Sequence, residues 1–286
     1  MYAGEDQHEF EIYRGIPGRP ASRALRVMSR ILLVDGTNIV MRYAHAMAPD
    51  FVREPDNPAA EAAVERVASA CVRAVLECAD VSSSPYVIVA FDSGGSWRKE
   101  RYAEYKTNRT VSTRRWSESL RSACETSRVH TVVCNGFEAD DVIATLEQRA
   151  RESGRQTAVL SGDSDLLVLA SDSCHVYQFG RKDEPRYVRR SQEWIKEKYG
   201  IASPQLLRDF KAIVGETGDS LSGIPGYGPK KALHLLERFG NADALLGSLA
   251  LTEANREVLA LMLELVTLRT DAPVEPVSPA ACRIAK

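Results

Sequence analysis

The chain has 286 residues, 44% of them apolar, which is enough for one large or two modest domains with a real core. Its 37 Lys and Arg against 39 Asp and Glu leave a formal charge of -2, which excludes a uniformly basic surface and makes local charge the better guide to partners. Six cysteines (Cys71, Cys78, Cys124, Cys134, Cys174 and Cys282) form no C-x-x-C pair and meet no histidines at zinc spacing, so neither a zinc site nor a disulfide scaffold is expected.

That cysteine usage fits a reduced, cytoplasmic compartment. No run approaches the roughly 18 apolar residues of a membrane helix, and the polar N-terminus lacks the apolar stretch of a signal peptide. Neither secretion nor membrane attachment is expected.

In chain order, residues 1–29 mix charges with Gly15, Pro17, Gly18 and Pro20 and show no periodicity. They read as a disordered extension, with Met28 a candidate start. ILLVD (31–35) reads as a buried strand, an Ala-rich helical pattern spans about 59–79, and YVIVAFD (86–92) reads as a second strand. Strand, helix, strand implies a parallel sheet.

After Asp92 the composition changes. Within SGGSWRKERYAEYKTNRTVSTRRW, residues 97–115 carry Arg98, Lys99, Arg101, Lys106, Arg109, Arg114 and Arg115 against Glu100 and Glu104, a local charge of about +5. VHTVV (129–133) then leads into a helix starting near Glu138, TAVLS (157–161) runs into GDSDLLVLA, and CHVYQF (174–179) is a further strand. The sheet should extend to about residue 180. Beyond it, helices are expected at 191–199, 204–214, 229–239 and 253–268, the middle two flanking the turn-rich GETGDSLSGIPGYG (215–228). The tail PVEPVSPAACRIAK reads as irregular, and no repeat is found.

Acids recur at equivalent places in these units. Asp35, Asp92, Asp163 and Asp165 fall at or just beyond strand ends, where open parallel sheets place ligands. Glu138 and Asp141 are three apart at a helix start and share a face, with Asp140 beside them. Each acid alone has a plain structural reading, Asp35 in a turn before Gly36 and the 138–141 group at a positive helix end. Together, and with Asp219, they would repel one another unless cations lie between them, and hard divalent ions such as Mg²⁺ take such oxygen ligands. Paired divalent ions about 4 Å apart suit phosphodiester hydrolysis.

Lys106 and Arg109, in YKTNR, are the candidates to complement a departing phosphate. A charge run is ordinarily a solvated helix face. Here Trp97, Tyr102, Tyr105 and Trp116 interleave with it, as expected where aromatics stack on unpaired bases and Arg and Lys hold the backbone. In GIPGYGPKKA (223–232) the glycines allow a close phosphate approach, Pro229 suits a first helical turn, and Lys230 with Lys231 adds charge at that helix start. This stretch reads as a helix-hairpin-helix clamp that grips DNA without reading sequence.

LLVDGTN (32–38), FD (91–92), the FDSGG...RKERYAEYKTNR block, GFEADDVIATL (136–146), LSGDSDLLVL (160–169) and GETGDSLSGIPGYGPKKA (215–232) together resemble the 5′-nuclease family. That family includes the 5′ to 3′ exonuclease domain of bacterial DNA polymerase I and the stand-alone flap endonucleases of bacteriophages. The likeness runs from about residue 31 to 275, with LVTLRTDAPVE (265–275) similar to the closing segment. It implies an α/β fold, a PIN-like 5′-nuclease core with a parallel-rich central sheet over 30–185, a helical arch at about 93–120, a helical DNA-binding region over 186–275, and a tail over 276–286.

The resemblance further implies that Asp35, Asp92, Glu138, Asp140 and Asp141 serve a first metal and Asp163, Asp165 and Asp219 a second, with Mg²⁺ the ion and Mn²⁺ able to substitute. Lys106 corresponds to a catalytic arch lysine, and Tyr105 and Arg109 lie where the arch meets the scissile bond. Arg98, Lys99, Gly226, Gly228, Lys230 and Lys231 join these as DNA contacts, with a K⁺ ion at the hairpin as in some members. The implied partners are branched or 5′-flap DNA, duplex DNA and RNA/DNA primers, and the implied location is the cytoplasm, with the DNA. No polymerase segment follows residue 286, so a free-standing member is expected.

One departure stands out. Against a family pattern GDxxDNIPG, this chain places Ser222 at the second aspartate and Gly223 at the asparagine. A neutral hydroxyl supplies no charge, so a weaker second metal and weaker or metal-hungry cleavage are expected, or at the limit a flap-binding protein that does not cut. A haloacid-dehalogenase-like phosphatase would need a nucleophilic aspartate two residues before Asp35, where Leu33 stands.

Overall fold

The computed structural model describes residues 29–284, so all but the last residue of the expected N-terminal extension lies outside the described residues. Six strands form one sheet in the order β3-β2-β1-β4-β5-β6: β1 (Ile31–Asp35), β2 (Tyr86–Phe91), β3 (His130–Val133), β4 (Thr157–Leu160), β5 (Cys174–Phe179) and β6 (Tyr187–Arg190). The first five run parallel, and β6 closes the edge antiparallel to β5.

The central strand is apolar throughout because both its faces are covered. Leu32 and Val34 join one core with Val87, Val89, Phe91, Ala158 and Leu160; Ile31 and Leu33 join the opposite core with Ile88, Ala90 and Val159. Alternation along each strand thus feeds two layers. The first is roofed by α1 (Gly36–Met47), α2 (Glu61–Val81) and, beyond a short helix α3 (Trp97–Arg101), α4 (Arg114–Thr126). The second is roofed by α5 (Ala139–Glu152) and by residues that follow the sheet in sequence.

Those later residues form α6 (Gln192–Tyr199), α7 (Leu206–Val214), α8 (Pro229–Phe239), α9 (Ala242–Leu246), α10 (Glu253–Val266) and α11 (Pro279–Cys282). A third core joins α7 to α10 and takes in Tyr105 from the basic segment. The tail departs from the irregular reading: α11 forms, Tyr86 bridges to Arg283, and the Ile284 N–H donates to Pro85 O at 3.0 Å. Burial of Val274, Val277 and Cys282 in the second core explains the order of this segment.

Helix α1 follows β1 without a loop, so Asp35 is both the strand's last residue and the helix N-cap, its carboxylate accepting from the Asn38 N–H at 2.9 Å. Position 36 admits only glycine: a Cβ would stand 2.6 Å from the Phe91 ring. No separate sequence signal marks 36–47 as a helix, because it begins inside the strand's own motif. Since β1 is flanked by β2 and β4, the chain reverses its direction of travel across the sheet here, and the crevice at the carboxyl ends of β1 and β4 is the switch point where such folds bind ligands.

Candidate active site

Around that crevice lies a cavity of about 670 Å³, lined by Asp35, Asp92, Glu138, Asp140 and Asp163 together with Lys106 and Arg109. A narrow cleft continues from Glu138 and Asp140 to Asp165, Glu216 and Asp219. Acids from five separated segments therefore meet. Asp140, Asp163 and Asp165 each offer an oxygen within 4.8 Å of the others.

Local structure holds each acid in place. The Ser161 hydroxyl donates to Asp35 Oδ2 at 2.8 Å, and the Ala139 N–H donates to Asp92 Oδ1 at 2.8 Å, so a carboxylate from β2 satisfies the first turn of α5. Asp163 Oδ1 accepts from the Asp165 N–H at 2.9 Å, an Asx turn that aims both acids the same way. Asp140 Oδ1 is buried with no hydrogen-bond partner among the described residues. An orphaned carboxylate oxygen beside two further acids fits a hard divalent cation.

The electrostatics agree. Burial, then Asp92, pushes the Asp35 carboxyl up to about 7, against the hydrogen bonds from Asn38 and Ser161. Burial and then Asp163 push Asp140 well above the usual carboxylate range. Asp165 is pushed up to about 6 by burial, with Lys211 opposing. Asp92 lines the same cavity, and desolvation by the protein around its carboxyl raises it too. Glu138 goes the other way: burial would raise it, but Lys106 and Arg98 together hold it below the usual range.

The basic segment is clasped onto this site. Lys106 Nζ lies 2.9 Å from Glu138 Oε2 and 3.9 Å from Asp219 Oδ2, and Arg109 Nη2 lies 2.6 Å from Asp219 Oδ1. The buried Tyr105 hydroxyl donates to Glu138 Oε2 at 3.0 Å. Lys106 adopts a left-handed φ of 54°, and its N–H donates to Asp219 O at 3.0 Å, so the backbone itself is latched to the loop after α7. Lys99 is exposed on α3, as are Gly226, Gly228, Lys230 and Lys231 at the start of α8, where Lys231 Nζ lies 3.4 Å from the Tyr227 ring centre.

Asp141 and Arg98, expected as a metal ligand and a DNA contact, are instead buried against each other. Asp141 is fully buried and takes a bidentate pair from Arg98 at 2.7 and 2.8 Å, the Trp97 indole N–H at 3.1 Å and the Arg269 N–H at 2.8 Å. Helical periodicity put Glu138 and Asp141 on one face, but Glu138 is the N-cap with extended backbone, so that periodicity starts after it. Arg98 spends its remaining donors on Leu265 O and Thr267 O, at 2.7 and 3.2 Å, and on Glu138. It is 3% exposed, at the edge of the narrow cleft.

Ser222 is a further correction. It is exposed, bonds to Gly223 O at 3.2 Å and lines neither the cavity nor the cleft. Glu216 stands in the cleft instead, so the carboxylate that Ser222 seemed to remove is present three residues before Asp219. Gly223 is equally built in: it has φ 63°, and a Cβ would meet Gly215 N at 2.4 Å. The weakened-binder reading thereby loses its ground. Glu216 was legible in the Glu-x-x-Asp spacing of GETGD. Lys211, whose ammonium contacts Asp165 and lies 2.9 Å from Glu216 Oε2 and 2.8 Å from Ser164 Oγ, carried no sequence signal, being one basic residue in an amphipathic helix.

Comparison with known proteins gives a consistent picture. Residues 30–200 match the 5′-3′ exonuclease, N-terminal resolvase-like domain, and residues 202–286 match the 5′-3′ exonuclease, C-terminal SAM fold. The chain is 31% identical over 283 residues to DNA polymerase I of Rhizobium leguminosarum, covering 92% of this chain and 27% of that protein. It is 30% identical over 259 residues to flap endonuclease Xni of Tolumonas auensis, covering 86% of this chain and 95% of that protein. The chain thus spans less than a third of the DNA polymerase I relative.

Among solved structures, a bacteriophage T5 flap endonuclease in complex with DNA and metal ions superposes with a TM-score of 0.67 at 25% identity, covering 84% of this chain and 90% of that one. A T5 5′-exonuclease with bound zinc gives 0.68 at the same identity and coverage.

Proposed function

This chain belongs to the 5′-3′ exonuclease family, and we propose that it is a structure-specific 5′-nuclease, hydrolysing phosphodiester bonds in branched, 5′-flap or 5′-ended DNA to leave a 5′-phosphate and a 3′-hydroxyl. The observation that carries this reading is the meeting of Asp35, Asp92, Asp140 and Asp163 with Lys106 and Arg109 around one cavity, with Asp165 beside Asp140 and Asp163. In it, Asp35, Asp92, Glu138, Asp140 and Asp163 hold one divalent cation, and Asp165, Glu216 and Asp219 serve a second, Mg²⁺ with Mn²⁺ able to substitute. When bound, such cations make water a better nucleophile and stabilise charge on the phosphoryl group.

The chain's own residues do the rest. Lys106 and Arg109, now paired with Glu138 and Asp219, turn to the scissile phosphate once those acids are neutralised, and complement its developing charge. Burial would lower the Lys106 ammonium's pKa, but Glu138 and Asp219 outweigh it and raise it, so Lys106 is charged where it rests against those acids. Lys99 completes the contacts on the basic segment, and Tyr105, expected as a further contact, is buried against the third core with its hydroxyl on Glu138. Arg98 holds that segment's root in place.

On this reading residues 30–185 cleave and residues 186–275 grip, the turn 223–228 and Lys230 with Lys231 tracking duplex DNA as a helix-hairpin-helix with a K⁺ ion. RNA/DNA primers are further substrates, and the setting is the cytoplasm, with the DNA. Among the described residues no helix is long and apolar enough to cross a membrane. The test is a 5′-labelled flap duplex incubated with Mg²⁺ or Mn²⁺: release of a short product near the junction supports the reading, and intact substrate at saturating protein overturns it.

A further inference from the structure

The two halves of the acid constellation are neutralised differently. Among the described residues, no Lys or Arg forms an ion pair with Asp35, Asp92, Asp140 or Asp163, and in that half Glu138 alone is paired, with Lys106 and Arg98. In the other half, Arg109 pairs with Asp219, and the Lys211 ammonium is held by Asp165, Glu216 Oε2 and Ser164 Oγ. These are three oxygens from two chain segments, one for each donor of the ammonium. Hard oxygen donors of this kind are also what a divalent cation requires.

Lys211 is held there by packing as well as charge. It lies on α7 between Ala212, in the third core, and Phe210, packed against that core, and is 8% exposed. An ammonium is a compact point charge on a flexible stem, so it can withdraw along that stem without the helix moving.

We infer that Lys211 is the resident cation of the Asp165–Glu216 half, which therefore takes a divalent ion only by exchange with the Lys211 ammonium, after the Asp35–Asp140–Asp163 half has filled. This rests on the nuclease reading and deepens it, making Lys211 the residue that sets the order of loading and the metal demand of the second position. A plain helix-terminal ion pair predicts no such exchange.

The test is calorimetric titration of Mn²⁺ into the metal-free full chain and its Lys211→Met and Lys211→Arg variants. The expected result is one tight and one weak site in the parent, a second site tightened about tenfold or more in Lys211→Met, which loses charge-assisted bonds that compete with the metal, and none of that gain in Lys211→Arg. A folded Lys211→Met whose second site is unchanged or weaker overturns the inference.

Should that variant fail to fold without metal, the parent decides. Acylation of Lys211, read by peptide mass spectrometry, should rise several-fold between metal-free and Mn²⁺-saturated protein; equal labelling overturns the exchange. Failure of the nuclease reading looks different, since the parent would then bind no Mn²⁺ even at the first half.

Discussion

Lys106 Nζ lies 2.9 Å from Glu138 Oε2, which joins the basic segment to the acid constellation across 32 residues of sequence. The pair is part-buried, so neither partner is idle surface charge. Lys106→Ala should reduce flap cleavage by roughly 100-fold to 10,000-fold, the range for a positioned charge or proton donor, with duplex affinity in Ca²⁺ little changed. Single-turnover cleavage beside a binding titration checks this. An equal loss of binding and cleavage would make Lys106 a phosphate anchor only.

The raised acids give the metal-free protein an inverted pH profile. Asp35 at about 7 and Asp165 at about 6 lie above the ordinary aspartate value, so over pH 4 to 7 the folded state binds more protons than the unfolded state. Their stabilising contribution is full below about pH 4 and is lost as pH rises through 6 and 7. Thermal melting without metal should therefore fall across that window by an amount on the order of a few kcal/mol, and Mg²⁺ should restore it at pH 7.

Asp141→Ala removes the partner of the buried Arg98 guanidinium, and this should cost about 3–5 kcal/mol in denaturant unfolding. Mn²⁺ binding at the first half should survive in the folded fraction. Loss of that site with stability unchanged would instead make Asp141 a ligand.

Glu216→Gln and Ser222→Asp separate the two accounts of the second half. The first should weaken the second Mn²⁺ site markedly, because Glu216 lines the cleft; the second should leave it unaltered, because Ser222 is exposed beside Gly223. Calorimetry on both variants decides between them. The opposite pattern would restore the sequence-only reading.

Much of this was legible before any coordinates. The apolar run 31–34 announced a strand buried on both faces, and the acids after β1, β2 and β4 announced the crevice. Helix α1 was hidden because Gly36 lets it start with no intervening turn. Asp141 was misplaced because spacing on a helix says nothing of a residue that caps it, and Arg98 because a charge run does not reveal which member turns inward. Glu216 is legible in its spacing from Asp219, whereas Lys211 is not, because its partners lie 46 residues upstream and 5 downstream.

The account stands or falls on the acids acting as a cation site. Anomalous diffraction from a crystal soaked in Mn²⁺ tests this most directly: a peak bounded by the carboxylates of Asp35, Asp140 and Asp163 is the result predicted. A map with no peak there, at Mn²⁺ concentrations that saturate the protein in solution, would contradict it.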